Sequence, residues 1–188
     1  FPYFTHLHPD SMSFIFENFA STLEYIDLSY TNLQGLASSY ISLPELVNMK
    51  VFIARTIKMY DIPDIYIRDN SPPFEQTRYT HRLISVLKLM PNLRVLDLTY
   101  NLHLTSNRVD IVNILANHCP LLEQLFLGCC WIPAEKLVNL QKLSFLKRLD
   151  VDHYKSRRGM CLNLPSYDFI ASFWNIATFV IPHLKELQ

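Results

Sequence analysis

Glycine is scarce in this chain: Gly35, Gly128 and Gly159 are the only three among 188 residues, against an average usage of about 7%. Dinucleotide and phosphate loops of the G-x-G-x-x-G or G-x-x-x-x-G-K-[ST] type need clustered glycines for tight turns and close backbone approach. The G-x-S-x-G elbow of many hydrolases needs a pair. No two glycines here stand close enough for any of these. An excess of either charge is also lacking, with 17 Lys and Arg against 17 Asp and Glu, so no global field gathers nucleic acid or an anionic membrane. Nucleic acid and membrane are therefore not expected as partners. No apolar run reaches the 18 or more residues of a membrane span; the nearest, Tyr167 to Pro182, carries Asp168 and Asn175. Its aromatic content reads as a buried helix.

The four cysteines, Cys119, Cys129, Cys130 and Cys161, form no C-x-x-C pair or zinc spacing, and no N-x-[ST] acceptor is present. Reduced thiols in cytoplasm or nucleus are the expectation. The chain opens Phe1-Pro2-Tyr3-Phe4, with neither a start methionine nor the regions of a signal peptide, and reads as a fragment or processed chain.

What is present is apolar and repetitive. Hydrophobic residues make up 49% and charged residues 18%, which suits one folded domain spanning 1–188. Five segments share an L-x-x-L-x-L phase: Leu23, Ile26 and Leu28; Met49, Phe52 and Ala54; Leu93, Leu96 and Leu98; Leu122, Leu125 and Leu127; Leu146, Leu149 and Val151. A sixth starts at Leu184 and Leu187. Successive starts lie 26, 44, 29, 24 and 38 residues apart, against 20–29 in a leucine-rich repeat. Two units therefore carry insertions, at 58–78 and 152–165. Helical spacing of apolar residues runs through Asp10 to Ala20, Tyr79 to Leu89, Arg108 to His118, Ala134 to Lys142 and Tyr167 to Thr178. The expected fold is α/β, a leucine-rich-repeat solenoid of about six irregular repeats with a curved parallel sheet on the concave side and helices on the convex side. Three residues past the last apolar position stand Thr31, Ile57, Asn101, Cys130 and Tyr154, where the repeat wants Asn or Cys to bond the turning backbone. Asn101 and Cys130 fit.

The segment His118-Cys119-Pro120-Leu121-Leu122-Glu123-Gln124-Leu125-Phe126-Leu127-Gly128-Cys129-Cys130-Trp131-Ile132 resembles the C-P-x-L-x-x-L-x-L-x-x-C-x-I unit of F-box/leucine-rich-repeat proteins. Pro91-Asn92-Leu93 through Asn101 to Leu104-Thr105 is similar to that family's P-N-L lead-in and late L-T step. The other units depart from the pattern, and no F-box is visible. The resemblance implies a substrate-recognition array of a cullin-based ubiquitin ligase receptor, with a Skp-type adaptor and cullin as partners through an F-box upstream of this segment. The same fold also serves as a structural or assembly subunit of a large cytosolic or mitochondrial complex with no ubiquitin role.

With the apolar triplets inward, the alternating residues face the concave surface. They form columns: Tyr25, Val51, Val95, Gln124 and Arg148; then Asp27, Ile53, Asp97, Phe126 and Asp150; then Ser29, Arg55, Thr99, Gly128 and Asp152. The expected protein-binding residues are Tyr25, Asp27, Val51, Ile53, Arg55, Val95, Asp97, Phe126, Arg148 and Asp150, an apolar centre rimmed by charge. Both insertions follow a strand and so emerge on one rim. The second carries His153, Lys155, Arg157 and Arg158, a candidate cradle for an anion or acidic motif.

No catalytic residue, metal ligand or cofactor is expected. Asp27, Asp97 and Asp150 sit on alternate strands, about 10 Å apart at 4.7–4.9 Å per strand, with Ile53 and Phe126 between them, and read as a solvated face. Cys119 and Cys130 read as buried, inert packing groups rather than nucleophiles paired with His118 or His153. The remaining histidines, His6, His8, His81, His103 and His183, show no metal spacing.

Overall fold

In each three-residue strand of this chain one apolar side chain is flanked by two neighbours that point the other way, which is what a sheet covered on one face requires. The computed structural model describes residues 9–29, 43–55, 83–101, 110–128, 130, 138–151 and 185–187. Among these residues six strands form one sheet: β1 (Tyr25–Asp27), β2 (Val51–Ile53), β3 (Val95–Asp97), β4 (Gln124–Phe126), β5 (Arg148–Asp150) and β6 (Glu186–Leu187). Every neighbouring pair is parallel, and the order in space is the order in sequence. The molecule is thus α/β with a parallel sheet. The register aligns Ile26, Phe52, Leu96, Leu125, Leu149 and Leu187 in one row, so the L-x-x-L-x-L phase in the sequence is the pairing register of the sheet.

Among the described residues the apolar positions of the motif are inward, with Leu23, Ile26 and Val151 only partly buried. Met49, Leu93, Leu122 and Leu146 lead into the strands, Phe52, Leu96, Leu125 and Leu149 sit at their centres, and Ala54, Leu98 and Leu127 follow; all are fully buried in one continuous core. Burying a Leu, Met or Phe side chain stabilises by about 1.5–3 kcal/mol, so the apolar triplets contribute to cohesion together with the helix residues that share their core.

Helices close the core from the other side. Helix α1 (Pro9–Phe19) turns Ser13 and Phe16 inward, with Ala20 just beyond it partly buried, the three- and four-residue spacing of one helical stripe. A short helix α2 over 83–87 buries Leu83, Ile84, Val86 and Leu87; the preceding residues of the expected Tyr79–Leu89 segment lie outside the described ones up to 82. Helix α3 (Ile111–His118) buries Ile111, Val112 and Leu115 and begins at Asp110, whose carboxylate accepts from the Asn113 amide at 3.0 Å. That cap satisfies an otherwise unpartnered first-turn donor.

Of the helical stretch expected at Ala134 to Lys142, the described part, Val138–Lys142, is a 3-10 helix, η1; 134–137 lie outside the described residues. At the C-terminal end of η1 the Leu143 amide donates to the Leu140 carbonyl at 3.0 Å, the three-residue bond of a 3-10 helix rather than the four-residue bond of an α-helix. It is tied to α3 by Asn139 Nδ2 donating to Asp110 Oδ2 at 3.0 Å and Lys142 Nζ donating to Asn113 Oδ1 at 3.0 Å. The expected helix at Tyr167 to Thr178 and both insertions, 58–78 and 152–165, lie outside the described residues.

Candidate functional site

The sheet face opposite the helices carries the expected columns in register. Tyr25 pairs with Val51, Val51 with Val95, Val95 with Gln124 and Gln124 with Arg148; two residues on, Asp27, Ile53, Asp97, Phe126 and Asp150 form the second row. Val51, Ile53, Val95 and Phe126 are half-buried, and Tyr25 is 55% exposed. An apolar strip therefore runs across four strands, about 15 Å from end to end at 4.7–4.9 Å per strand.

The acidic residues of the second row are not equivalent. Asp27 is exposed, and its Oδ1 accepts from the Ser29 amide at 2.8 Å. Asp97 makes the same local bond, Oδ1 accepting from the Thr99 amide at 3.0 Å. This carboxylate-to-second-amide bond is a local turn closure, so the recurring Asp-Leu-Ser/Thr of Asp27 and Asp97 serves the strand end. The expectation that Asp97 is solvated is incorrect: it is 2% exposed. Arg55, at the end of the neighbouring strand, folds over it, with Nε donating to Asp97 Oδ2 at 2.5 Å. Burial of that carboxylate is tolerable because a guanidinium and an amide both bond it. Arg55 is fixed further by its own amide, which donates to Ser29 Oγ at 3.3 Å.

At the other end of the strip Arg148 lies over the Phe126 ring, 5.0 Å from guanidinium carbon to ring centroid, inside the range of a cation–π contact. Asp150 stands in register beside Phe126 and is half-buried. Of the expected second site, His153, Lys155, Arg157 and Arg158 lie outside the described residues, as does Asp152.

At the C-terminal rim the side chains tie consecutive units together. Asn101 is buried, and its Nδ2 donates at 2.7 Å both to the Leu98 carbonyl of its own unit and to the Ala54 carbonyl one strand back. Cys130 repeats the move, its Sγ donating to the Leu98 carbonyl at 3.0 Å. Ala54 and Leu98 hold the same position in successive units, so Asn101 and Cys130 do the same work. Cys119 is fully buried, donates to the Leu87 carbonyl at 3.6 Å, and has its pKa pushed up to about 12 by burial. Both cysteines are packing and bridging groups.

Two ladders at the N-terminal ends of the strands escape the column reading. Asn48 Nδ2 donates to the Ser21 carbonyl at 2.5 Å and Asn92 Nδ2 to the Val47 carbonyl at 2.7 Å; each Asn immediately precedes the first apolar residue of its segment, and that position is the signal. Beside them Glu24 pairs with Lys50 at 2.8 Å, and Glu123 is gripped by Lys147 at 2.6 Å and by Arg94. The hydrogen bonds from Lys147 and then Arg94 hold the Glu123 carboxyl below the usual carboxylate range.

Among the described residues no group of three His, Cys, Asp or Glu side chains could hold a metal ion, and no helix is long and apolar enough to cross a membrane. Neither a comparison with protein-family models nor a search among curated proteins finds a match to this chain.

Proposed function

We propose that the chain is a leucine-rich-repeat solenoid whose sheet face recognises another protein. The observation that carries this reading is the in-register strip of Val51, Ile53, Val95 and Phe126, half-buried and ended by Tyr25 and Asp27 on one side and Arg148 and Asp150 on the other. An apolar centre with a polar, charged rim is the composition of a protein-binding patch. The repeat reading is supported by Asn101 and Cys130, which bond equivalent carbonyls of the preceding unit. Two residue types fill one role at one position, as a repeat would have it.

The partner class follows from the resemblance of the Cys119–Ile132 segment to the F-box/leucine-rich-repeat family. On that basis the array is the substrate-recognition part of a cullin-based ubiquitin ligase receptor, acting in cytoplasm or nucleus, and it has no catalytic role of its own. The test is affinity isolation of the full-length protein and of its Ile53→Lys/Phe126→Lys form, with folding checked by circular dichroism. The expected result is that a Skp-type adaptor and a cullin accompany both forms, while substrate proteins accompany the wild type alone. Substrates captured equally by both forms would refute recognition by this face. Partners that depend on the face, in the absence of any adaptor, would assign the chain to an assembly subunit instead.

A further inference from the structure

The sheet face already holds two guanidinium groups, one through a carboxylate, Asp97 with Arg55, and one through a ring, Phe126 with Arg148. Strand β1 carries both kinds of holder within three residues. Asp27 stands in the same row as Asp97, with Ile53 between them, and Tyr25 lies two residues before it on the same face. Their Cα atoms are about 6.6 Å apart at the rise of an extended strand. Both side chains are exposed, and the bond Asp27 makes among the described residues is the one from its own turn, the Ser29 amide to Oδ1. The nearby cation Lys50 is engaged by Glu24. The next strand offers Val51 and Ile53 beside this pair.

We propose that Tyr25 and Asp27 form a docking position for one basic side chain, lysine or arginine, of a partner polypeptide whose adjacent aliphatic or aromatic residues lie over Val51 and Ile53. The inference rests on the reading of this face as a protein-recognition surface and adds the chemistry of what it recognises. A long basic side chain suits the site because its methylene stem covers the ring while its charged head reaches the carboxylate. The half-exposed Val51 and Ile53 then take the apolar neighbour, about 5 Å away across the strand gap.

The experiment is selection of randomised displayed peptides on the immobilised full chain in four forms: wild type, Asp27→Asn, Asp27→Lys and Ile53→Lys. Asparagine keeps the oxygen that accepts the Ser29 amide, so the turn survives, and thermal melts confirm folding of every form. Peptides selected by the wild type are expected to share Lys or Arg within two positions of Leu, Ile, Val or Phe. A synthesised representative should bind Asp27→Asn about two- to fivefold more weakly, and Asp27→Lys should select Asp or Glu in place of the basic residue. Peptides that require Ile53 yet show no basic preference, or bind Asp27→Asn unchanged, overturn the docking position and leave face recognition standing. Peptides bound equally by Ile53→Lys, or no enrichment on the wild type, overturn the recognition reading and this inference with it.

Discussion

Replacing Asn101 by Ala should destabilise the protein far more than a neutral polar-to-apolar change at a surface. The Asn101 amide donates to two carbonyls, those of Ala54 and Leu98, at 2.7 Å each, from a position only 3% exposed. The Leu98 carbonyl keeps two other donors after the substitution, the backbone N–H of residue 101 at 3.1 Å and the Cys130 thiol at 3.0 Å. Ala54 keeps none among the described residues. The expected cost is one net hydrogen bond at Leu98, about 1 kcal/mol, plus one buried acceptor left unsatisfied at Ala54, about 1–3 kcal/mol. The sum is about 2–4 kcal/mol, which for a chain of this size lowers the melting temperature by about 4–16 °C. Asn101→Asp should be worse than Ala at neutral pH, because a carboxylate has no hydrogen to donate and would face two carbonyl oxygens; it should partly recover in acid, where the protonated group can donate. Urea and thermal denaturation followed by circular dichroism measure both. An Asn101→Ala protein within about 0.5 kcal/mol of wild type, the range of ordinary surface substitutions, would refute the assignment of Asn101 as a bridge between units.

Arg55→Ala strands the buried Asp97 carboxylate with the Thr99 amide, and should cost about 2 kcal/mol, less than for a fully buried pair because the Arg55 side chain is half-exposed; Asp97→Asn should recover part of that loss in the double variant, and simple additivity in chemical denaturation would contradict the pairing. Cys119, with its pKa near 12, carries at pH 8 a thiolate fraction about a thousandfold below that of a free thiol, so peptide mapping after alkylation should find it modified only in unfolded protein. Glu123 has its pKa lowered in the folded state, so its contribution is fully present above the ordinary carboxylate value of about 4.3 and is lost as pH falls through the folded value. Glu123→Gln should flatten the acid limb of the stability curve, an effect that 0.5 M salt shrinks, and an unchanged acid limb would count against the Lys147 and Arg94 grip. Tyr100 holds a left-handed φ of 66°, where a bulky side chain is disfavoured; Tyr100→Asn should raise stability by up to about 1 kcal/mol and Tyr100→Val should lower it.

The sheet was legible because its determinants are local and periodic. The apolar triplets in phase gave strand centres, register and inward residues together, since a one-residue slip would have exposed Phe52, Leu96, Leu125 and Leu149 at once. The roles of Asn101 and Cys130 followed from their offset. The 3-10 helix was less legible, because it spans only Val138–Lys142 and so short a segment offers no apolar period that separates three residues per turn from 3.6. The burial of Asp97 was not legible at all, since its partner Arg55 lies 42 residues away in sequence and the row of alternating Asp, Ile and Phe gives no sign of which carboxylate a cation covers. The charge ladder of Glu24, Lys50, Arg94, Glu123 and Lys147 was readable in principle as the residue after the first apolar position of each unit.

The most direct test of face recognition is site-specific photo-crosslinking in cells, with a photoreactive residue placed in the full-length protein at Ile53, at Phe126 or at the exposed Asn117 of α3. Covalent adducts with a common partner are expected from Ile53 and Phe126 and none from Asn117. Adducts from Asn117 at equal yield, or none from either sheet position, would contradict face recognition.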